Sequence, residues 1–348
     1  MNRLAAVAVF VILVLVASPT LLLDAQRSRI SEASIRAHME MLAGDALNGR
    51  GSGTRDEWIA ATYVASQLRQ FGVRPLDGFD GFVHDIESPA DRRKASSARA
   101  TDEGLVPESD GDRPGRRTWN VIGQIPGASA DRRREVILLS AHLDHLGVSG
   151  DGPDMIYNGA DDDASGVAMV LELARAMAQG GTPRRTIMFA FFGSEEAGGI
   201  GSRHFIDHPP VPLTEILINL QLEMVGRPDS SLPPDTFWLA GYERSNLGEA
   251  LARRGARLVA DPHVDEQFFQ RSDNIRLASR GVVAHTVSSY GLHDDYHTPA
   301  DDLSRIDFAH MTRVAASLLV SLDWLADSTF APEWKPGLSP ERNRQNGR

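Results

Sequence analysis

Imidazole and carboxylate side chains recur at the ends of apolar runs in this 348-residue chain, a combination of residue type and position suited to holding metal ions and moving protons. The run Val136 to Ala141 leads into His142-Leu143-Asp144-His145. In an extended segment, side chains two apart project to one side, so Asp144 can accept a hydrogen bond from the His142 nitrogen that faces away from a metal. Asp161-Asp162-Asp163 opens a helical segment, where acids complement the helix dipole but also repel one another in a way that a divalent cation relieves. The run Thr186 to Phe192 leads to Glu195-Glu196; adjacent side chains diverge, so one carboxylate can ligate a metal while its neighbour stays free to carry a proton. Glu223 follows the run Ile216 to Leu222, and His297 lies beyond Val282 to Val287, four residues before Asp301, which can orient its ring.

Taken singly, each group has a plain alternative: a satisfied polar pair at a strand end, acids capping a helix, a histidine in a polar loop. Their recurrence decides the matter, because four successive apolar runs carry such groups at or beyond their carboxyl ends and a fifth cluster sits between them. The chain has no cysteine, so thiol catalysis, disulfides and thiolate metal sites are excluded, and any metal must be held by His, Asp and Glu. That donor set suits a catalytic pair of zinc ions, with cobalt or manganese as substitutes.

The elements that must position these groups follow from hydrophobic spacing. Residues 30 to 42 and 55 to 71 have helical periodicity. From Trp119 onward, strands at 120–125, 136–141, 186–192, 216–222 and 282–287 alternate with helices at 164–178, 201–207, 245–254 and 308–326. Nearly continuous Val, Ile, Leu and Phe in the strands implies burial on both faces, hence a three-layer α/β/α sandwich around a mixed, mostly parallel sheet. In such sheets ligands bind beyond the carboxyl ends of the strands, where the candidate residues lie. Residues 87 to 117 lack apolar periodicity and read as a surface loop, and residues 331–348 as a polar tail. At the start, Met1-Asn2-Arg3 followed by an apolar run to Ala17 and then Ser18-Pro19-Thr20 fits a secretory signal peptide over residues 1–25, with an uncleaved membrane anchor as the alternative. Export to the periplasm or medium is expected. The folded domain is expected over 28–330.

A hydrophobic share of 42% supplies a core, and a formal net charge of −11 opposes binding to phosphate backbones, so nucleic acid is excluded as a partner. Neither GxSxG, a P-loop, HExxH nor GxGxxG occurs, which leaves serine hydrolase, NTPase, thermolysin-like and dinucleotide readings without support.

The segments AHLDHLG (141–147), NGADDDASG (158–166), FFGSEEAGGIGS (191–202), LEMVGR (222–227), RSDN (271–274) and YHTPADDLSRID (296–307), with NGRGSGTRDEWIAATYVASQLRQFGVRP (48–75) upstream, together resemble the co-catalytic di-zinc aminopeptidases of clan MH, relatives of glutamate carboxypeptidase and glutaminyl cyclase. The resemblance implies that Asp162 bridges two zinc ions, that His142 and Glu223 complete one site and Glu196 and His297 the other, and that a water shared by the metals is the nucleophile. Glu195 is then the general base, Tyr296 a donor to the tetrahedral oxyanion, and Asp144 a support behind the ligands. It also implies a cis peptide between Asp162 and Asp163 and a peptide or small aminoacyl substrate. Two positions depart from the family: Glu223 replaces Asp, and Asn274 replaces a His found in many relatives. An aminopeptidase needs negative charge for the substrate ammonium, available from Glu195 and Glu223; a carboxypeptidase needs a cation, for which Arg227 and Arg271 are the candidates. A one-zinc glutaminyl cyclase and a non-catalytic binding domain are the other readings of the same fold.

Overall fold

A computed structural model describes residues 29–87 and 117–340. Ten strands occur among them: β1 (Val83–Glu87), β2 (Arg117–Ile125), β3 (Val136–His142), β4 (Gly147–Val148), β5 (Ile156–Tyr157), β6 (Thr186–Phe192), β7 (Ile216–Leu222), β8 (Phe237–Leu239), β9 (Leu258–Ala260) and β10 (Val283–Ser288). Eight form one sheet in the order β1-β2-β6-β3-β7-β10-β8-β9, and β4 pairs with β5 in a small hairpin. The central strands β6, β3, β7 and β10 are mutually parallel, whereas β1 and β2 add antiparallel strands on one side and β8 on the other. Every residue of β3 and β6 is buried.

The seven helices are α1 (Glu32–Leu42), α2 (Arg55–Gln70), α3 (Gly166–Ala178), α4 (Ile200–Asp207), α5 (Leu247–Arg253), α6 (Asn274–Ala278) and α7 (Phe308–Asp327), counted over the described residues. Side-chain alternation on β6 shows how they sandwich the sheet. Ile187, Phe189 and Phe191 enter the core shared with α1, α2, α3 and α7, while Met188, Ala190 and Phe192 enter a second core with Phe205 of α4 and Leu277 of α6. The Ser31 and Thr54 hydroxyls cap α1 and α2 by accepting backbone N–H groups.

Three features differ from the sequence reading. The helix expected from Ala164 starts at Gly166, because residues 160–165 form an irregular turn in which Asp162 and Asp163 leave helical geometry. The short strands β1, β4, β5, β8 and β9 and the short helix α6 were not anticipated: each is too brief for periodicity to reveal, and β1 and β8 are recruited by pairing with longer neighbours. The polar tail expected from 331 is instead packed onto the domain as far as it is described, since the Trp334 indole N–H donates to Gly281 O (3.1 Å) and Lys335 Nζ meets Glu249 (3.1 Å). The residues expected to form an N-terminal leader and most of those expected to form the 87–117 loop lie outside the described residues. Among the described residues no helix is long and apolar enough to cross a membrane.

Candidate metal centre

Because β6, β3, β7 and β10 are parallel neighbours, their carboxyl ends share one edge of the sheet, and the expected residues converge there. His142 is the last residue of β3, Glu195-Glu196 follow β6, Glu223 follows β7 directly, and His297 stands in the loop after β10. Asp162 occupies the middle. Its Oδ1 lies 3.0 Å from His142 Nε2 and its Oδ2 3.1 Å from His297 Nε2, so the two carboxylate oxygens face imidazoles on opposite sides, the arrangement a bridging ligand needs. Glu196 Oε1 is 3.2 Å from the same His297 nitrogen. Burial alone raises the proton affinity of the Asp162 carboxyl, but the His142 and His297 imidazoles outweigh it and hold Asp162 well below the usual range.

The other two aspartates of the triplet serve the backbone. Asp163 accepts N–H groups from His142 (3.1 Å), Gly166 (3.0 Å) and Met224 (3.2 Å), tying the ends of β3 and β7 to the start of α3. Asp161 accepts from Gly226 N (2.7 Å) and faces His293 Nε2 at 3.2 Å. The peptide between Asp162 and Asp163 is cis. Asp144 supports the site in two ways. Its backbone oxygen lies 3.1 Å from His142 Nδ1, and its carboxylate accepts the N–H groups of Glu195 (2.8 Å) and Glu196 (3.2 Å), so one side chain fixes the whole acidic turn.

Asp301 corrects the sequence expectation. It does not orient His297; its carboxylate accepts the N–H groups of Asp161 (2.9 Å) and Asp162 (3.1 Å) and so braces the central carboxylate from behind. His297 adopts a left-handed backbone (φ 57°), which turns the chain between the two residues and breaks the proximity that their spacing suggested.

Glu195 and Glu196 diverge as adjacent residues in a turn must. Glu196 faces the imidazoles, and although burial and the Asp162 charge raise it, hydrogen bonds with His145 and His297 leave its carboxyl below the usual value. Glu195 lines the adjacent cavity, where burial, followed by the repulsion of Asp273, Glu223 and Glu196, pushes it well above. Two neighbouring carboxyls driven in opposite directions is the electrostatic pattern of one ligand and one proton carrier.

Glu223 lines the same cavity and accepts a hydrogen bond from the Ser272 hydroxyl; burial raises its carboxyl to about 7. Tyr296 also borders it, stacked on His297 with ring centroids 3.8 Å apart, its phenol pushed up by burial and by Asp162, Glu196 and Glu223, so it remains a proton donor. Met224, Trp238, Phe268 and Tyr290 form the apolar wall. Of the two candidate cations, Arg227 pairs with Asp295 (2.8 Å), while Arg271 lines the cavity over the Phe268 ring with Glu266 at 3.3 Å. Asn274 turns its amide to Phe269 O (3.2 Å) and accepts from Thr286 (3.0 Å), a structural role.

The family model for "Peptidase family M28" matches residues 120–321, the span that contains every one of these groups beyond α2 and β1. The chain belongs to peptidase family M28. Among its relatives, leucine aminopeptidase 1 of Metarhizium robertsii is 26% identical over 230 residues, covering 62% of this chain and 57% of that protein. The M28 chain spans 11% to 58% of the length of the first curated relatives it matches. Its fold is similar to that of a zinc aminopeptidase from Bacillus subtilis (TM-score 0.61, 16% identity, 86% of this chain and 96% of that one) and to glutaminyl cyclase of Porphyromonas gingivalis (TM-score 0.61, 20% identity, 85% and 99%).

Three residues of this M28 site escaped the sequence reading. Arg50 is fully buried and donates to the carbonyls of Leu143 (3.0 Å), Asn158 (2.7 Å) and Gly159 (3.0 Å), placing a guanidinium amid Asp144, Asp162, Asp163 and Asp301. Glu57 accepts from Gly53 N (2.6 Å), Thr118 Oγ1 (2.7 Å) and Ser194 N (2.8 Å), and burial next to Asp144 raises it to about 8. His145 places Nδ1 at 2.9 Å from Glu196 Oε1. The first two act through backbone groups far away in sequence and leave no local signal; His145 was visible in AHLDHLG, but its neighbours His142 and Asp144 absorbed the motif. His145, Asp162, Glu196 and His297 each turn one donor atom inward, all within 4.8 Å of one another, and two imidazoles with two carboxylates is a donor set that fits zinc.

Proposed function

We propose that the protein is a two-zinc aminopeptidase that removes an apolar residue from the N-terminus of a peptide. The observation that carries this reading is the divided pair: in the cavity that both line, Glu196 is turned onto His297 and His145, while Glu195, one residue earlier, has no imidazole hydrogen bond and its proton affinity is raised. Asp162 would be the bridging ligand, His142 and Glu223 would serve one ion, and Glu196 and His297 the other. Bound zinc would supply Lewis acidity, lowering the pKa of the attacking water and polarising the scissile carbonyl.

Everything else is done by the chain. Glu195 accepts the proton of the attacking water and returns it to the leaving amine nitrogen, which requires a carboxyl poised above its ordinary value. Glu195 and Glu223 face the substrate ammonium, and the wall of Met224, Trp238, Phe268 and Tyr290 excludes water and accepts an apolar side chain. Tyr296 donates its phenolic proton to the oxygen that gains charge in the transition state. Arg227 is paired with Asp295, whereas Arg271 lines the cavity in only an exposed pair with Glu266, so the preference for the amino end rests on Glu195 and Glu223 and is tested by the C-terminally amidated peptide. The apolar run Leu4 to Ala17 supports action outside the cytoplasm.

The test is to strip the enzyme with chelator, titrate zinc back, and compare leucyl p-nitroanilide, N-acetyl-leucyl p-nitroanilide, a C-terminally free and amidated peptide pair, and an N-terminal glutaminyl peptide. Activity should return with two zinc ions, require the free amine and ignore the C-terminus. Cyclisation of the glutaminyl peptide with one bound zinc would establish the cyclase chemistry of the Porphyromonas neighbour instead, and no hydrolysis of any substrate by the zinc-loaded protein would leave a binding domain.

A further inference from the structure

We infer that His145 is a direct ligand of the zinc held by Glu196 and His297, so that this site carries four protein donors and the partner site three; the inference rests on the zinc-peptidase reading above. Its Nδ1 lies 2.9 Å from Glu196 Oε1 and 3.9 Å from Asp162 Oδ2, while His297 Nε2 lies 3.2 and 3.1 Å from these same two oxygens. A tetrahedral ion with bonds of about 2.0–2.1 Å sets its donors roughly 3.3 Å apart, so these spacings match a single ion.

The ring has no other polar purpose within the protein. His145 is fully buried, and its Nε2 is buried with no hydrogen-bond partner, so all of its polar anchoring passes through Nδ1, the nitrogen turned into the cluster. Its backbone is pinned by an N–H donated to Arg50 O (3.1 Å), which sets the ring at the cluster. The space beside it is kept by Gly159, at φ 58°, where a Cβ would come within 2.5 Å of the imidazole. The His145 and His297 rings meet edge to face with centroids 5.5 Å apart, as two imidazoles converging on a point do.

The consequence is asymmetry between the ions. A site with Asp162, Glu196, His297 and His145 is closed by protein donors, whereas the Asp162, His142 and Glu223 site keeps an open position. The closed site should therefore fill first and empty last, and the exchangeable zinc should be the one beside Glu223.

The experiment is anomalous diffraction at the zinc edge on the loaded enzyme, with zinc affinities by competitive chelator titration for wild type and for His145→Phe, which keeps a ring against Gly159 but removes the donor. A His145 nitrogen at about 2.1 Å from an ion, with loss of the tighter zinc beyond the 10- to 100-fold that an outer hydrogen bond is worth, is the expected result. Because His145→Phe can fail to fold, the diffraction on wild type stands alone: a His145 nitrogen at hydrogen-bonding distance from Glu196 and more than about 3 Å from both ions overturns the inference while leaving the peptidase reading intact. Wild type with no zinc in the cluster would overturn both.

Discussion

Replacing Glu195 and Glu196 separately by Gln separates ligand from base, because the two side chains have identical chemistry and different surroundings. Glu195→Gln preserves size and the backbone N–H donated to Asp144 (2.8 Å), and its side chain has no imidazole among its hydrogen-bond partners, so zinc content should stay at the wild-type value. A Gln cannot accept the water proton; general-base catalysis is typically worth about 10²- to 10⁴-fold, or roughly 3 to 5.5 kcal/mol of barrier, and kcat should fall by that much. Glu196→Gln removes the charge that faces His297 at 3.2 Å and His145 at 2.9 Å, and a neutral amide is a poor zinc donor. Its zinc affinity should drop, and part of its activity should return as zinc is raised. The assay is elemental analysis of both purified variants followed by leucyl anilide turnover across a zinc titration. Metal loss in Glu195→Gln together with a zinc-independent defect in Glu196→Gln would refute the assignment.

Glu223→Ala should lose one zinc while Glu223→Asp keeps measurable activity, since a carboxylate one methylene shorter is still a zinc donor; an Ala variant retaining two tightly bound zinc ions would remove Glu223 from the ligand set. His38 and His285 are both lowered by burial to about 4, so below 6.5 the unfolded chain takes up protons that the native histidines refuse. Stability should thus be lost as pH falls from about 6.5 towards 4, by about 2 kcal/mol for each histidine at pH 5, and urea melts of His285→Asn should show a shallower fall than wild type. Asp301→Asn keeps one acceptor but turns an amide onto a buried N–H of the Asp161-Asp162 segment, which should cost about 1–3 kcal/mol in chemical denaturation and lower zinc affinity. Chelation should lower the melting temperature, because zinc at a thousand times its Kd contributes about 4 kcal/mol to the native state, and a melt insensitive to chelator would contradict the proposed centre.

His142, Glu195, Glu196 and Glu223, legible in the sequence, share one property: they stand at or just beyond the end of their own strand. His142 and Glu223 stand at or directly after the ends of β3 and β7, and a parallel sheet puts those ends together whatever the rest of the chain does. Where position depends on a loop's path, spacing misled. Asp301 lies four residues from His297, yet the left-handed backbone of His297 sends the two side chains to different tasks. Arg50 and Glu57 were illegible for a different reason, since the contacts that tie them to the site are with backbone groups of residues 143, 158, 159 and 194, which no local pattern encodes.

That division bears on how the site works. Several segments of the site are held from behind by buried groups: Asp144 grips the Glu195-Glu196 turn, Asp301 the Asp162 backbone, Glu57 the Ser194 N–H, and Arg50 the carbonyls of Leu143 and Gly159. All four are buried, and burial raises two of the carboxyls, Glu57 to about 8 and Asp301 to about 7. Arg50 offsets part of the negative charge of Asp144, Asp162, Asp163 and Asp301, burial pushes the Asp163 carboxyl well above its usual range, and the His142 and His297 imidazoles meet the charge of Asp162. A divalent cation would take the place of the protons that these carboxyls and imidazoles hold without it, and the carboxylates it leaves at the cavity edge favour a cationic substrate terminus.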